Sequence, residues 1–336
     1  MKTYISQLVE GRGLSRDDAY AAIRMIMSGE ASEAQIAAFL VALRLRGETP
    51  DVVAGAAQAM REASTEVACA HPRAVDTCGT GGDGHHTFNI STTAAFVTAG
   101  AGVPVAKHGN RGVSSRSGSA DVLSSLGVNL SISPEKMGEC LKATGIAFLF
   151  APSLHPAMKY AIGPRREIGV RTLFNILGPL SNPARTRHGV LGVYSVAMVD
   201  LVANALADLD CDHMFVVHGE DGLDEITLTA PTHVAEVRHG AVTRYTLSPE
   251  EYGFERCQLA DLVGGEPADN AAITQAILDG ETGPRREIVL LNAAAAILSG
   301  GKASDFHQAL QLAAASIDSG AARGKLEALV RFTSDS

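Results

Sequence analysis

Tryptophan is absent from this 336-residue chain, and aromatic residues make up only 5% of it. A surface that stacks nucleobases on aromatic rings is therefore not expected. Cysteine is sparse and scattered: there are five, Cys69, Cys78, Cys140, Cys211 and Cys257, and none forms a CxxC pair. An odd, dispersed set argues against a disulfide framework and against a cysteine zinc site, and points to a reducing cytoplasm. No apolar run approaches the ~20 residues of a membrane-spanning helix. The opening residues, Met1 to Ser6, lack the apolar core of a secretory signal, so none is expected. Positive charge is in deficit: 28 Lys and Arg face 37 Asp and Glu, a net charge of −9. That balance argues against nucleic acid and anionic membranes as partners. It leaves room for a local basic pocket that takes a phosphorylated small molecule.

What is present is enough apolar material, 46% of residues, to bury a sizeable core in one large domain or two modest ones. The first 65 residues read as helices only. Ser15 caps one whose apolar side carries Ala19, Ile23, Ile26 and Met27. Ser32 and Gln35 form a capping box ahead of Ile36, Phe39, Leu40 and Leu43, and Thr49-Pro50 opens a third. From Ala74 onward the pattern changes. Strand-like runs at 74–77, 103–106, 146–150, 190–194 and 214–217 alternate with helical stretches at 92–99, 120–126, 134–144 and 196–209. Alternation of this kind predicts an α/β unit with a largely parallel sheet. Residues 232–247 alternate around His239-Gly240 and predict a hairpin, which makes the sheet mixed. The last 65 residues are expected to be helical. The chain is therefore expected to hold a helical domain over 1–70, joined by about 155–185, and an α/β domain over 71–336.

Four stretches carry chemistry. Gly79-Thr80-Gly81-Gly82-Asp83 follows a strand, and its backbone N–H groups can cradle phosphate oxygens or simply form a tight turn. It lacks the lysine of a P-loop and the spacing of a dinucleotide fingerprint. Asn89-Ile90-Ser91-Thr92 opens an apolar helix; Ser91 or Thr92 is an N-cap, or the helix start takes a phosphate. The stretch from Lys107 to Ser119 carries Lys107, Arg111 and Arg116 with no acid until Asp121, which suits a polyanion, and Ser119 can cap the next helix. Gly222-Leu223-Asp224-Glu225 places carboxylates past a strand end, where magnesium bridging to phosphate is one reading and a solvated turn the other.

Taken in order, the motifs resemble the anthranilate phosphoribosyltransferase family over nearly the whole chain. They are GTGGD at 79–83, NIST at 89–92, KHGNR at 107–111, SS at 114–115, GSAD at 118–121, RREIGVRT at 165–172, NILGPLSNPA at 175–184 and GLDE at 222–225. The resemblance implies a small helical domain plus a larger, nucleoside-phosphorylase-like α/β domain. It implies transfer of phosphoribose from phosphoribosyl pyrophosphate (PRPP) to anthranilate, with two magnesium ions per chain and a homodimer built through the helical domain. By motif, Gly79, Gly82, Asp83 and Thr87 would line the PRPP site. Asn89, Ile90, Ser91 and Thr92 would hold its ribose 5-phosphate end. Lys107, His108, Gly109, Asn110, Arg111, Gly112, Val113, Ser114, Ser115 and Ser119 would enclose the pyrophosphate. Ser91, Asp224 and Glu225 would help bind the metal. Gly79, Asn110 and Arg165 would bind anthranilate, with His155 and Pro179 along the same tunnel. No residue is assigned as general acid or base, because an aromatic amine is already neutral at pH 7. A nucleoside phosphorylase shares a glycine-rich turn and a lysine, but KHGNR, NIST and the Asp224–Glu225 pair favour the PRPP enzyme. The chain departs from the family at Pro164, where an aliphatic residue is usual, and the His85-His86 pair is variable.

Overall fold

The N-terminal helices begin where side chains can satisfy free N–H groups. Ser15 and Asp18 exchange side-chain and backbone bonds at the start of Arg16–Met27, and Ser32 and Gln35 do so at Glu33–Arg46. Thr49 accepts from the Val52 N–H and Pro50 fills the first turn of Pro50–Glu62. A short helix, Lys2–Val9, precedes them; it has no side-chain cap and buries only Leu8, so no periodicity announces it. Ile23, Ile26, Ile36, Phe39, Leu40 and Leu43 are all buried. The same apolar cluster takes in Ala161, Phe174 and Leu177 from the helices Lys159–Ile168 and Phe174–Leu180. The computed structural model describes residues 1–112 and 116–335.

Seven strands form one sheet: β1 (Val75–Gly79), β2 (Val105–Gly109), β3 (Ile146–Phe150), β4 (His188–Gly192), β5 (His213–Gly219), β6 (Thr232–Arg238) and β7 (Ala241–Leu247). Their order is β3-β2-β1-β4-β5-β6-β7. The first five in that order pair in parallel and the last two antiparallel. The β6–β7 hairpin turns through His239 and Gly240, both at positive φ, the geometry that matches strand twist. On one face of the sheet, Leu191 and Val216 share the helical unit's apolar cluster with Val199 and Val202 of the helix Val196–Ala207. Residues of the helices Ile90–Gly100, Pro284–Ser299 and Phe306–Asp318 lie in the apolar cluster that also holds Val75, Val105 and Phe148.

Several strands extend beyond the apolar runs that reveal them. β2 continues to Gly109, pairing Lys107 with Phe148 and Gly109 with Phe150. Lys107, His108 and Gly109 therefore belong to a buried strand and not to the loop that follows it. The ladder persists because β3 keeps offering partners and the Lys107 charge finds oxygens inside. The chain steps from β1 to β2 to β3 on one side, then returns with β4 on the other side of β1. The sheet's topological switch lies between β1 and β4, and crevices for ligands form at the carboxyl ends of strands at such a point.

Candidate functional site

β1 and β4 end side by side, with Gly79 opposite Gly192. The turn that follows β5 folds over both ends. A Cβ on Gly192 would stand 1.6 Å from the Asp224 carbonyl oxygen, and one on Gly79 would stand 2.5 Å from Asp224 Oδ2. Only glycine at 192 lets the acidic turn descend onto the sheet edge, and a Cβ at 79 would push the Asp224 carboxylate aside. Asp224 Oδ2 then accepts from the Gly81 N–H at 2.7 Å. Glu225 Oε1 accepts from the Ser91 N–H at 3.2 Å, at the amino end of Ile90–Gly100. Neighbouring residues on a straight strand would point apart. Here Gly222, at a φ of 100°, turns the backbone so that both carboxylates reach the β1 edge.

Burial and then the Asp83 charge raise the Asp224 carboxyl above its ordinary range. Burial and then Asp224 do the same to Glu225. Like charges gathered out of water favour the neutral form, and a cation placed there would offset the repulsion. Lys107 supplies part of that compensation. Its buried Nζ donates to the Thr77 carbonyl and lies 3.4 Å from Thr77 Oγ1 and 3.5 Å from Ser91 Oγ. The oxygens of Asp224, Glu225, Asp83 and Ser91 form a hard donor set. Among the described residues, no three His, Cys, Asp or Glu side chains enclose an ion by themselves. Such a set suits magnesium, which keeps waters and shares phosphate oxygens in place of a full protein cage.

The helix at this site starts at Ile90, with Asn89 as its N-cap, so neither Ser91 nor Thr92 is the cap. The Asn89 side chain makes no cap bond because it is used elsewhere. Its Nδ2 donates to the Ser117 carbonyl at 3.2 Å, and its Oδ1 accepts from Ser117 Oγ at 3.2 Å and Asn270 Nδ2 at 3.0 Å. Ile90 and Thr92 are buried, and the Ile90 N–H donates to the Phe88 carbonyl at 2.7 Å, so what the pair offers a ligand is the Thr92 N–H. Thr87 bridges to Val263 in a single antiparallel pair.

The next loop closes on an acid that looked remote in sequence. Asp121 Oδ2 accepts from the N–H groups of Gly112 at 2.8 Å and Gly118 at 2.9 Å. Its Oδ1 accepts from Arg111 at 3.0 Å. The carboxyl is held below its ordinary range by those N–H bonds and by Arg111, against the opposing effect of burial. Gly118, and not Ser119, is therefore the cap of Ser119–Ser125; Ser119 Oγ donates to the Asn110 carbonyl at 3.3 Å. The Asn110 side chain turns back to its neighbour, Oδ1 accepting from the Arg111 N–H at 2.8 Å. Val113, Ser114 and Ser115 lie outside the described residues.

Arg165 sits in Lys159–Ile168 with its guanidinium carbon 5.3 Å from the Phe174 ring centre. Burial lowers its pKa. Among the described residues this half-buried cation makes no ion pair. Among the described residues, no hydrogen bond or ion pair joins Arg165 to Gly79 or Asn110. Pro164 stands inside this helix and withholds the N–H that would bond the Tyr160 carbonyl. His108 and His155 are buried together, with Nε2 atoms 3.2 Å apart, so one ring donates and the other accepts. Burial drives both toward the neutral form, to about 3 for His108 and about 4 for His155.

Three site residues were not singled out from the sequence. Asp76 accepts from the His108 N–H at 3.1 Å and from Asn182 Nδ2 at 2.7 Å, and burial pushes its carboxyl up to about 6. Asn182 also donates to the Ala106 carbonyl at 2.8 Å, tying β1, β2 and the segment after Pro179 together. Arg171 donates to the Gly82 carbonyl and lies over the Tyr194 ring, 4.3 Å from its centre. A polar residue inside a strand run, as Asp76 is, was the signal available.

Residues 2–64 match the family described as "Glycosyl transferase family, helical bundle domain", and residues 71–323 match "Glycosyl transferase family, a/b domain". An anthranilate phosphoribosyltransferase of Moorella thermoacetica is 55% identical over 332 residues, spanning 99% of this chain and 98% of the relative. The crystal structure of anthranilate phosphoribosyltransferase from Thermus thermophilus superposes with a TM-score of 0.94 at 44% identity, covering 98% of this chain and 99% of that one. The Saccharomyces cerevisiae enzyme in complex with PRPP and Mg superposes with a TM-score of 0.92 at 29% identity, covering 99% and 98%. The yeast protein has also been solved with 4-fluoroanthranilate.

Proposed function

The chain belongs to the anthranilate phosphoribosyltransferase family, and from that membership we infer that it transfers the phosphoribosyl group of PRPP to the amine of anthranilate. The products are N-(5-phosphoribosyl)anthranilate and pyrophosphate, a step of tryptophan biosynthesis. The observation that carries this reading is the meeting of Asp224, Glu225 and Lys107 with the amides of Gly81 and Ser91 at the β1 edge. A cation and two carboxylates, the latter fixed by backbone N–H groups, together suit a metal-bound polyphosphate and not a neutral nucleoside.

PRPP would lie along Gly79, Gly82, Asp83, Thr87, Asn89 to Thr92, Lys107 to Ser115 and Ser119. Anthranilate would meet Gly79, Asn110 and Arg165, with His155 and Pro179 beside it. Ser91, Asp224 and Glu225 would help hold magnesium, two ions to a chain. When bound, magnesium stabilises the charge that gathers on departing pyrophosphate. Lys107 adds a fixed positive charge on that side, and the Gly82 and Asp83 amides of the turn add donors already in place. Arg165 gives the acceptor carboxylate a planar fork and so aims the amine at the ribose carbon. The neutral His108–His155 pair offers no strong base, and the reaction asks for none.

We assign the chain two units: residues 1–70 with 155–185, and 71–336. A cytoplasmic homodimer fits this reading. Support for the dimer comes from Val41 and Leu45, exposed one turn apart on Glu33–Arg46, with Val9 and Ile162 exposed on helices that pack against it. The direct test is loss of anthranilate fluorescence on adding PRPP and magnesium, against a chain with no tryptophan background. Persistence of the signal with folded protein would overturn the assignment.

A further inference from the structure

Asn292, on Pro284–Ser299, is 3% exposed, and its carboxamide is used on both sides. Oδ1 accepts from the Ile226 N–H at 2.9 Å, and Nδ2 donates to the Ile226 carbonyl at 2.8 Å. Nδ2 also donates to the Ile288 carbonyl, one turn back on its own helix, at 2.9 Å. A side chain thus exchanges with Ile226 the two bonds that a neighbouring strand would make. Ile226 directly follows Glu225. On the other side, the Asp224 carbonyl is seated against Gly192. The acidic pair is therefore held from both ends, by a glycine with no room to spare and by a buried amide. Asn292 and Glu225 also line one small cavity together with Ser91 and Thr77.

We propose that Asn292 is a positioning residue for the divalent-metal site: by holding Ile226 it makes Asp224 and Glu225 present their oxygens together. The inference rests on the reading of those two carboxylates as metal-holding. Partners that orient ligating side chains are worth roughly 10- to 100-fold in metal affinity in other sites. A buried asparagine that only joined a helix to a loop would lower the melting temperature and leave the metal affinity of the folded protein alone.

The test is direct metal binding to the full chain with PRPP present and anthranilate omitted, so that nothing turns over. Free Mn2+ is followed by electron paramagnetic resonance. The variants are Asn292→Leu, which keeps the volume and loses every bond, and Asn292→Ser, which is read if the leucine variant does not fold. Asp224→Asn with Glu225→Gln serves as the reference. Weakening of Mn2+ binding by about tenfold or more in the Asn292 variant, with the anthranilate KM unmoved in a separate turnover assay, is the expected result. An unchanged Mn2+ affinity there, beside a weakened one in the double variant, overturns the role of Asn292. Unchanged affinity in the double variant overturns the metal reading itself and the inference with it.

Discussion

Arg165 shows what one side chain can decide. A guanidinium drawn out of water without a carboxylate beside it is costly, and burial already lowers its pKa. The arrangement makes sense when the acceptor brings the missing carboxylate. Arg165→Ala should therefore raise the anthranilate KM far more than the PRPP KM. Losing one charge-assisted contact costs roughly 1.5–3 kcal/mol, or about ten- to over a hundredfold. Steady-state kinetics with each substrate varied in turn gives the comparison. Equal effects on both would transfer the role to Arg166 or Arg171. Of these, Arg171 is already committed to the Gly82 carbonyl and the Tyr194 ring.

The element scale separates what sequence can announce from what it cannot. Ser15, Ser32 and Thr49 are local signals, acting within three residues, and the helices they open lie where they were expected. The hairpin at His239-Gly240 is local in the same sense. Strand ends were less legible. Lys107 is charged, and a charge ends the apolar run by which a buried strand is recognised; Asp76 lies inside its run, but nothing local shows what it bonds. Their partners, His108, Asn182 and Thr77, come from other parts of the chain. The Asp121 clamp was hidden for a related reason: Arg111, ten residues before it, read as a free cation. Of the three basic residues in this stretch, Lys107 is buried in β2, while Arg111 and Arg116 are exposed. Trypsin should thus cut the free protein at Arg111 and Arg116 and spare Lys107. Mg–PRPP should slow both cuts, as read by mass spectrometry of early fragments. Unchanged cleavage with PRPP bound would detach this loop from the pyrophosphate.

At the scale of the whole molecule, the His108–His155 pair joins β2 to the segment that leads into Lys159–Ile168. Both histidines stay neutral in the folded protein well below the 6.5 of a free imidazole, His155 to about 4. The unfolded chain accepts protons there that the folded chain refuses. Stability from this pair is complete above pH 6.5 and falls as pH drops toward about 4. Asp76 acts the other way, since its carboxyl is raised to about 6 and protonates in the fold first. A comparison of variants removes that opposing effect. His155→Gln should lose stability less steeply than the unaltered chain between pH 6.5 and 4.5, by about 2 kcal/mol over the interval. Denaturant titrations at a series of pH values measure it; parallel curves would contradict the assignment.

Gly192 touches no proposed ligand atom, and its neighbours Leu191 and Val193 are ordinary core residues. Yet the 1.6 Å that separates a Cβ at this position from the Asp224 carbonyl leaves no substituent of any size. In a saturation library selected for growth without tryptophan, position 192 should tolerate nothing, alanine included. Positions 191 and 193 beside it should accept conservative exchanges. A survey that inferred roles from tolerance alone would rank this silent glycine with Lys107 and Glu225. A purified Gly192→Ala protein should remain folded, bind anthranilate's carboxylate through Arg165, and fail where the acidic turn meets its metal. Tolerance maps of such a protein record backbone clearance as faithfully as they record chemistry.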